Sequence, residues 1–333
     1  MQLKSDALST GVSKLLTVGR DLQEHPWKME LVTDVMPDVV RDLERLSKVP
    51  LFTFVPFGNW PPNPTQQVGF LADDSRIKGA ICGNRSGKTI VANVEDCYDC
   101  IGLDPLLKGP SHRYSDSIDM WAVSDTEETS INIVQRGISE LLGEEIGFGW
   151  ELVDDTTQYD ASGGFKNNEL VWATGSRLSF KFSTQKRRSF QGVALDKVRL
   201  DEEPPKDIYS ECYARTIDRE GRLSITFTPV YDRLRGLSWI YEDLYLKSEE
   251  KGASFHNWAL FDNPHLSEGA KSEILNAWDE DERDVRAFGI FTPMGVKPAL
   301  DRALIRQAED MVEQPESKYL QLSEQGEVEL VAL

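Results

Sequence analysis

From about residue 65 to residue 300 the chain alternates short apolar runs with polar or helically periodic stretches. The runs at 77–82, 120–123, 170–173, 178–182, 198–200 and 223–227 have strand length and are bounded by glycine-containing or polar segments, which predicts β-strands. Longer stretches at 88–101, 128–142 and 205–216 repeat their apolar positions at helical spacing. Strands alternating with helices predict an α/β domain with a mainly parallel sheet. The runs at 170–173 and 178–182 are separated only by Thr174-Gly175-Ser176-Arg177, a turn sequence, and predict a hairpin.

The flanks differ. Val32, Met36, Val39, Val40 and Leu43 fall on a helical period that Leu46 continues, so residues 1–60 read as a helical N-terminal segment and connector. Residues 50–64 hold five prolines, with three phenylalanines before Gly58, and predict an extended packed connector because proline removes backbone donors. The last 33 residues carry eight acidic and three basic side chains and predict a small helix followed by a linker or tail. The expected organisation is therefore 1–60, an α/β domain over 61–300, and an acidic C-terminal appendage over 301–333. No internal repeat or low-complexity segment interrupts it.

Charge narrows the function classes. With 37 basic and 56 acidic residues the net charge is −19, which argues against coating nucleic acid over the whole surface and leaves room for a local basic channel. No apolar run is long enough to span a bilayer, and MQLKSDALST lacks a signal peptide's apolar core. Four cysteines do not make a disulfide scaffold, so a cytoplasmic setting is expected. Cys97 and Cys100 form a lone C-x-x-C inside a predicted helix and read as structural thiols. His25, His112, His256 and His265 have no metal-ligand spacing.

The strongest chemical signal follows the 77–82 run. Gly83-Asn84-Arg85-Ser86-Gly87-Lys88-Thr89 joins a strand to a helix. Such a loop curls so that its amides and the helix N-terminus face phosphate oxygens. Lys88 would reach the β- and γ-phosphates of a nucleoside triphosphate, and the Thr89 hydroxyl would ligate Mg²⁺. The strict pattern wants glycine at 82, where this chain has Cys82. Hydrolysis also needs a carboxylate for the metal and a group to activate water. The 198–200 run leads into Asp201-Glu202-Glu203-Pro204-Pro205, which offers Asp201 for the metal and Glu202 as base, or else an acidic cap on the next helix. The 223–227 run leads into Thr226-Phe227-Thr228-Pro229, whose hydroxyls would lie beside the nucleotide crevice of an open sheet.

Taken together these motifs resemble the ATPase domain of the large terminase subunit of tailed bacteriophages, over about Phe52 to Gly295. Asn63-Pro64-Thr65-Gln66-Gln67-Val68-Gly69-Phe70 is similar to that family's adenine-reading glutamine motif, with Gln67 as the reader. Cys82 to Thr89 looks like its deviant phosphate loop, in which Arg85 is a recurrent feature. Phe190-Gln191-Gly192, the Asp201 segment and the Thr226 segment resemble its metal, base and coupling motifs. Asp262-Asn263-Pro264 and Arg286-Ala287-Phe288-Gly289 look like later landmarks, and the block from Asp201 to Pro229 is most like terminases of short-tailed, headful-packaging phages. The resemblance implies a RecA-like P-loop ATPase of the ASCE type that uses ATP and Mg²⁺. It further implies double-stranded DNA, portal protein and small terminase as partners, a homo-oligomeric ring on the capsid, and the host cytoplasm as location. Such chains usually continue into a nuclease domain; no carboxylate cluster follows Gly295, so nuclease activity is not assigned.

Arg177, Lys181, Lys186, Arg187 and Arg188 lie in a stretch without acids and make the clearest local positive field. They are read as a trans-acting arginine, as DNA-phosphate contacts, or as a solvated basic edge. The resemblance puts Arg187 first as the finger, with Arg85 second. Two rivals stay open: another P-loop DNA translocase or helicase, and a non-catalytic terminase piece that only docks on portal or small terminase.

Overall fold

A computed structural model describes residues 45–106, 111–114, 116–143, 148–229, 238–291, 318–322 and 328–332. They divide into two compact units, Met1–Thr292 and Pro293–Leu333. In the first, helix α1 spans Gln66–Ala72, strand β1 Ile77–Cys82, helix α2 Lys88–Ile101 and strand β2 Asp119–Ser124. Helix α3 covers 127–142 and is π-wound over Ser130–Gln135. A small hairpin, β3 at Tyr159–Asp160 and β4 at Gly164–Phe165, precedes β5 at Glu169–Val171 and β6 at Arg177–Phe182. Then come β7 at Lys197–Asp201, α4 at Lys206–Ile217, β8 at Arg222–Phe227 and β9 at Ala253–Trp258. Helices α5, Glu268–Asn276, and α6, Glu280–Phe288, follow.

Seven strands form one sheet in the order β5-β6-β2-β7-β8-β1-β9. Every pairing is parallel except β5 with β6, the expected hairpin. The result is the mainly parallel sheet that the alternation of strands and helices predicts, in keeping with the RecA-like fold that the resemblance implies. Strand β8 is inserted between β1 and β7, with Thr226 opposite Ala80 on one side and Asp201 on the other. The loop after β1, the carboxylates after β7 and the hydroxyls of β8 therefore open at one end of the sheet.

Apolar side chains cover both faces. Met120, Ala122, Leu178 and Phe180 pack with Val94 and Cys97 of α2 and Ile138 of α3. Trp121, Val198, Leu200, Leu223 and Ile225 pack with Ile208 and Cys212 of α4. Each fully buried side chain of this size contributes roughly 1.5–3 kcal/mol relative to exposure. The alternation of β7 is unusual because its other face is ionic: Lys197, Arg199 and Asp201 are all buried beneath α2.

The structure departs from expectation at both flanks. Pro50–Thr53 is a helical turn where an extended connector was expected; proline at the first helical position loses no hydrogen bond, and Leu51 is buried. In the second unit, β10 at Lys318–Leu322 and β11 at Val328–Ala332 pair antiparallel where a linker or tail was expected. Val32, Met36, Val39, Val40, Leu43 and His25 lie outside the described residues. Strand β9 was not foreseen, because Ala-Ser-Phe-His-Asn-Trp carries little hydrophobic signal. Cys97 and Cys100 are buried and unpaired, as structural thiols should be.

Candidate nucleotide site

The loop between β1 and α2 is clamped from outside. The Gly83 amide donates to the Trp258 carbonyl at 3.3 Å and the Asn84 amide to the Arg286 carbonyl at 2.6 Å. Trp258 Nε1 donates to the Ser86 carbonyl at 3.0 Å, and Asn263 Nδ2 to the Arg85 carbonyl at 2.8 Å. Gln67 Nε2 donates to the Gly87 carbonyl at 3.2 Å. Gly87 has φ 85° and starts α2, so only glycine turns there without strain. At Gly83 a Cβ would lie 2.1 Å from the Ala287 carbonyl oxygen. That contact explains the displaced glycine of the motif: close approach of α6 demands it at 83, while Cys82 finishes a buried strand.

Inside the clamp, four sequence-nominated side chains converge. Lys88 Nζ donates to Thr228 Oγ1 at 2.9 Å and pairs with Glu202 Oε1 at 2.9 Å. The Thr228 amide donates to Glu202 Oε2 at 3.0 Å, and its hydroxyl donates to Asn84 Oδ1 at 2.9 Å. Beside them Thr89 Oγ1 and Thr226 Oγ1 donate to Asp201 Oδ1 at 3.5 Å and 3.2 Å. Inserting β8 between β1 and β7 is what puts Thr228 between Lys88 and Glu202.

Glu202 sits at φ 72°, a left-handed conformation for a residue with a Cβ. Such strain costs on the order of 1–3 kcal/mol and tends to collect at functional positions. Its amide still donates to the Thr226 carbonyl at 2.8 Å, which holds the turn. Withdrawal from water pushes its carboxyl above the usual range; Lys88 pulls it down, and Asp201 pushes it up again. A carboxylate with its proton affinity lifted is a better general base near neutral pH. Glu203 turns away: burial raises it too, while the Trp239 and Ile240 amides pull it down. That leaves Glu202 as the one facing the loop, paired with Lys88.

Thr89 and Asp201 are the two nominated metal ligands, and among the described residues no group of three His, Cys, Asp or Glu could hold a metal. Two protein oxygens suit Mg²⁺, which keeps several waters and shares itself with substrate phosphates. The donor set therefore fits that ion and not a protein-caged one.

Other nominated residues stand further off. Arg187 lies on a 3₁₀ turn, Arg187–Phe190, and its guanidinium holds Glu211 Oε1 at 2.6 and 2.8 Å, with the side chain 57% exposed. Arg177 is exposed, and Lys181 lies over the Trp121 ring. Arg85 is exposed at φ 60°. Gln67 is buried, with its amide committed to Gly87 and to the Phe57 amide, which donates to Oε1 at 3.4 Å. Sequence reasoning missed Arg199, whose Nη2 donates to Asp201 Oδ1 at 2.8 Å. Its signal was available: Lys197, Arg199 and Asp201 share one face of an otherwise apolar strand, and Glu95, Asp96 and Asp99 cluster on the helix after the loop.

Comparison with known proteins adds a lineage to this geometry. Residues 80–296 match the family described as terminase large subunit, T4likevirus-type, N-terminal. The large terminase subunit of Salmonella phage P22 is 30% identical over 237 residues, 64% of this chain and 46% of that protein. The large terminase of the thermophilic bacteriophage D6E superposes with a TM-score of 0.54 at 14% identity, over 69% of this chain and 54% of that one. Solved in complex with ADP, it gives 0.52 at 16%, over 68% and 52%. At these identities the solved structures speak for the fold. The chain spans about half the length of the relatives it matches.

Proposed function

This chain belongs to the terminase large subunit family, and from that premise we propose that it is the Mg²⁺-dependent ATPase of a DNA-packaging motor. In this reading it hydrolyses ATP to drive double-stranded viral DNA into a preformed capsid. Portal protein and the small terminase subunit are its partners, and it works in the bacterial host cytoplasm, transiently on the procapsid. Residues 61–300 are the ATPase domain in this reading, with 1–60 and 301–333 as appendages. The observation that carries the proposal is the convergence of Lys88, Glu202 and Thr228 within 3 Å of one another at the mouth of the phosphate loop. ADP bound to the D6E relative supports the choice of ligand.

The chain's own residues divide the work. Gly83, Asn84, Arg85, Ser86 and Gly87 shape the loop, whose amides beyond those of Gly83 and Asn84 hold phosphate together with Lys88. Mg²⁺ bound by Thr89 and Asp201 would neutralise charge between the β- and γ-phosphates. Gln67 reads adenine, its amide leaving Gly87 and Phe57 to do so. In the described state Lys88 is tied to Glu202 and Thr228, so a γ-phosphate that draws the lysine away releases the base. Glu202 then takes a proton from the attacking water, whose oxygen bonds to the γ-phosphorus as the bond to the β-phosphate oxygen breaks and ADP leaves. Thr226 and Thr228 feel the loss of phosphate through Asp201 and Lys88 and pass it to β8. Arg187 acts in trans on a neighbouring subunit's phosphate, leaving Glu211 to do so; Arg85 is the second candidate.

The deciding experiment is ATP hydrolysis by wild type, Glu202→Ala and Arg187→Ala over a range of protein concentrations. Loss of a general base should lower turnover by about 10²–10⁴-fold. Turnover per subunit should rise with concentration only when Arg187 is present. Normal hydrolysis by Glu202→Ala would sink the base assignment. An inactive wild type that still binds nucleotide would favour a docking component.

A further inference from the structure

We propose that Arg199 is the positioning residue that locks the metal carboxylate Asp201 to the phosphate loop, so that nucleotide and Mg²⁺ are gripped as one ligand. The inference rests on the nucleotide-site reading above and adds a residue that no motif nominates. Arg199 is fully buried on β7, two residues before Asp201 and on the same face. One arm of its guanidinium, Nη2, donates to Asp201 Oδ1 at 2.8 Å. The other, Nη1, donates to Asp96 Oδ2 at 3.2 Å and to Asn93 Oδ1, both on α2. Helix α2 is the one that begins with Lys88 and Thr89. A single planar cation therefore references both metal ligands, Thr89 on the helix and Asp201 on the strand. With Thr226 and Thr89 also donating to Oδ1, three side chains fix the carboxylate.

The rest of the interface resists sliding. Lys197 Nζ lies 2.8 Å from Asp96 Oδ1, 2.6 Å from Asp99 Oδ2 and 3.2 Å from Glu95 Oε2. Lys78 and Arg113 hold Glu95 from the far side. Moving α2 along β7 would separate several buried charges at once. Well-packed apolar residues often stabilise such an interface as well or better, so the ionic layer is explained by the geometry it specifies. Lysine at 199 would keep the charge but lose the fork that spans two acids.

The test is equilibrium binding of ATPγS to the full chain, in EDTA and in saturating Mg²⁺, alongside the thermal midpoint. Three variants are compared with wild type: Arg199→Lys, the charge-balanced double variant Arg199→Gln/Asp96→Asn, and the control Lys78→Met in the same network. Wild type should bind more tightly with Mg²⁺; if it gains nothing from the ion, the nucleotide-site reading itself fails and this inference with it. Given that gain, both Arg199 variants should keep their EDTA affinity within about twofold and lose about tenfold or more of the Mg²⁺ effect, the scale expected for residues that orient metal ligands. Lys78→Met should keep the Mg²⁺ effect. Full retention by Arg199→Lys would overturn the proposal. So would an equal loss in EDTA, or an equal loss in Lys78→Met, since either would make Arg199 a general support of the fold.

Discussion

The α4 face of the central sheet and one strip of its other face, beneath α2, are built on opposite principles from the same strands. Beneath α4, Val198, Leu200, Leu223 and Ile225 form an apolar layer. Beneath α2, the alternate residues Lys78, Lys197, Arg199 and Asp201 meet Glu95, Asp96 and Asp99, and all seven are buried. The apolar layer contributes most to stability per residue and tolerates small shifts, because dispersion and water exclusion are not directional. The ionic layer adds little net stability, yet it allows one alignment of helix against strand. The helix that carries Lys88 and Thr89 lies on the face that permits one alignment.

Four measurements would break or sharpen this contrast. The largest effect should come from Lys197→Met, which leaves Glu95, Asp96 and Asp99 short of a cation and should cost about 4 kcal/mol in urea unfolding. Leu200→Ala, its neighbour on the opposite face, should cost about 3 kcal/mol by transfer and cavity terms. If the apolar change proved clearly the more damaging, the ionic layer would be less critical than its partners imply.

Acid should reach the two regions with opposite signs. Burial pushes Glu95 up, but Lys197, Lys78 and Arg113 outweigh it and hold its carboxyl well below the ordinary 4.5. A depressed carboxylate lends stability that is complete above about pH 4.5 and is lost as the pH falls toward its folded value. Glu95→Gln should therefore be less stable than wild type by about 2 kcal/mol at neutral pH, with the gap closing as the pH falls from 5 toward 2. A gap that stayed constant with pH would deny the ionic origin. Glu202, at the mouth, is raised. A raised carboxyl favours the fold while protonated, and that contribution is lost as pH rises through its folded value. At pH 7.5, then, Glu202→Gln should melt roughly 1–3 °C above wild type, and the advantage should fade near pH 4. A lower midpoint for Glu202→Gln at pH 7.5 would mean that the pair with Lys88 outweighs desolvation.

Much of the site was legible along the chain because its parts are local. Lys88 and Thr89 follow a strand and open a helix; Asp201, Glu202, Thr226 and Thr228 close strands whose apolar runs are plain. The reading weakened where chemistry depends on distant partners. Arg199 and Asp96 are 103 residues apart, so neither looked functional. Thr228 and Lys88 are separated by 140 residues, and their contact depends on strand order. Asn263 and Arg286 were motif landmarks without a task until β9 and α6 brought them onto the loop.

Local pattern alone determined the α/β class, the hairpin at the sheet edge, the glycine-containing loop between β1 and α2 and the carboxylate and hydroxyl pairs at strand ends. These follow from periodicity and from the few residues between neighbours, which short-range sterics and hydrogen bonding control. Tertiary structure decided the insertion of β8 between β1 and β7, the glycine at 83, the Lys88–Glu202 pair at the mouth and the ionic layer under α2. Those depend on which strands lie side by side and which helix covers them. That choice belongs to the burial of the whole chain, since each buried charge is stable only where a segment far away in sequence supplies its partner.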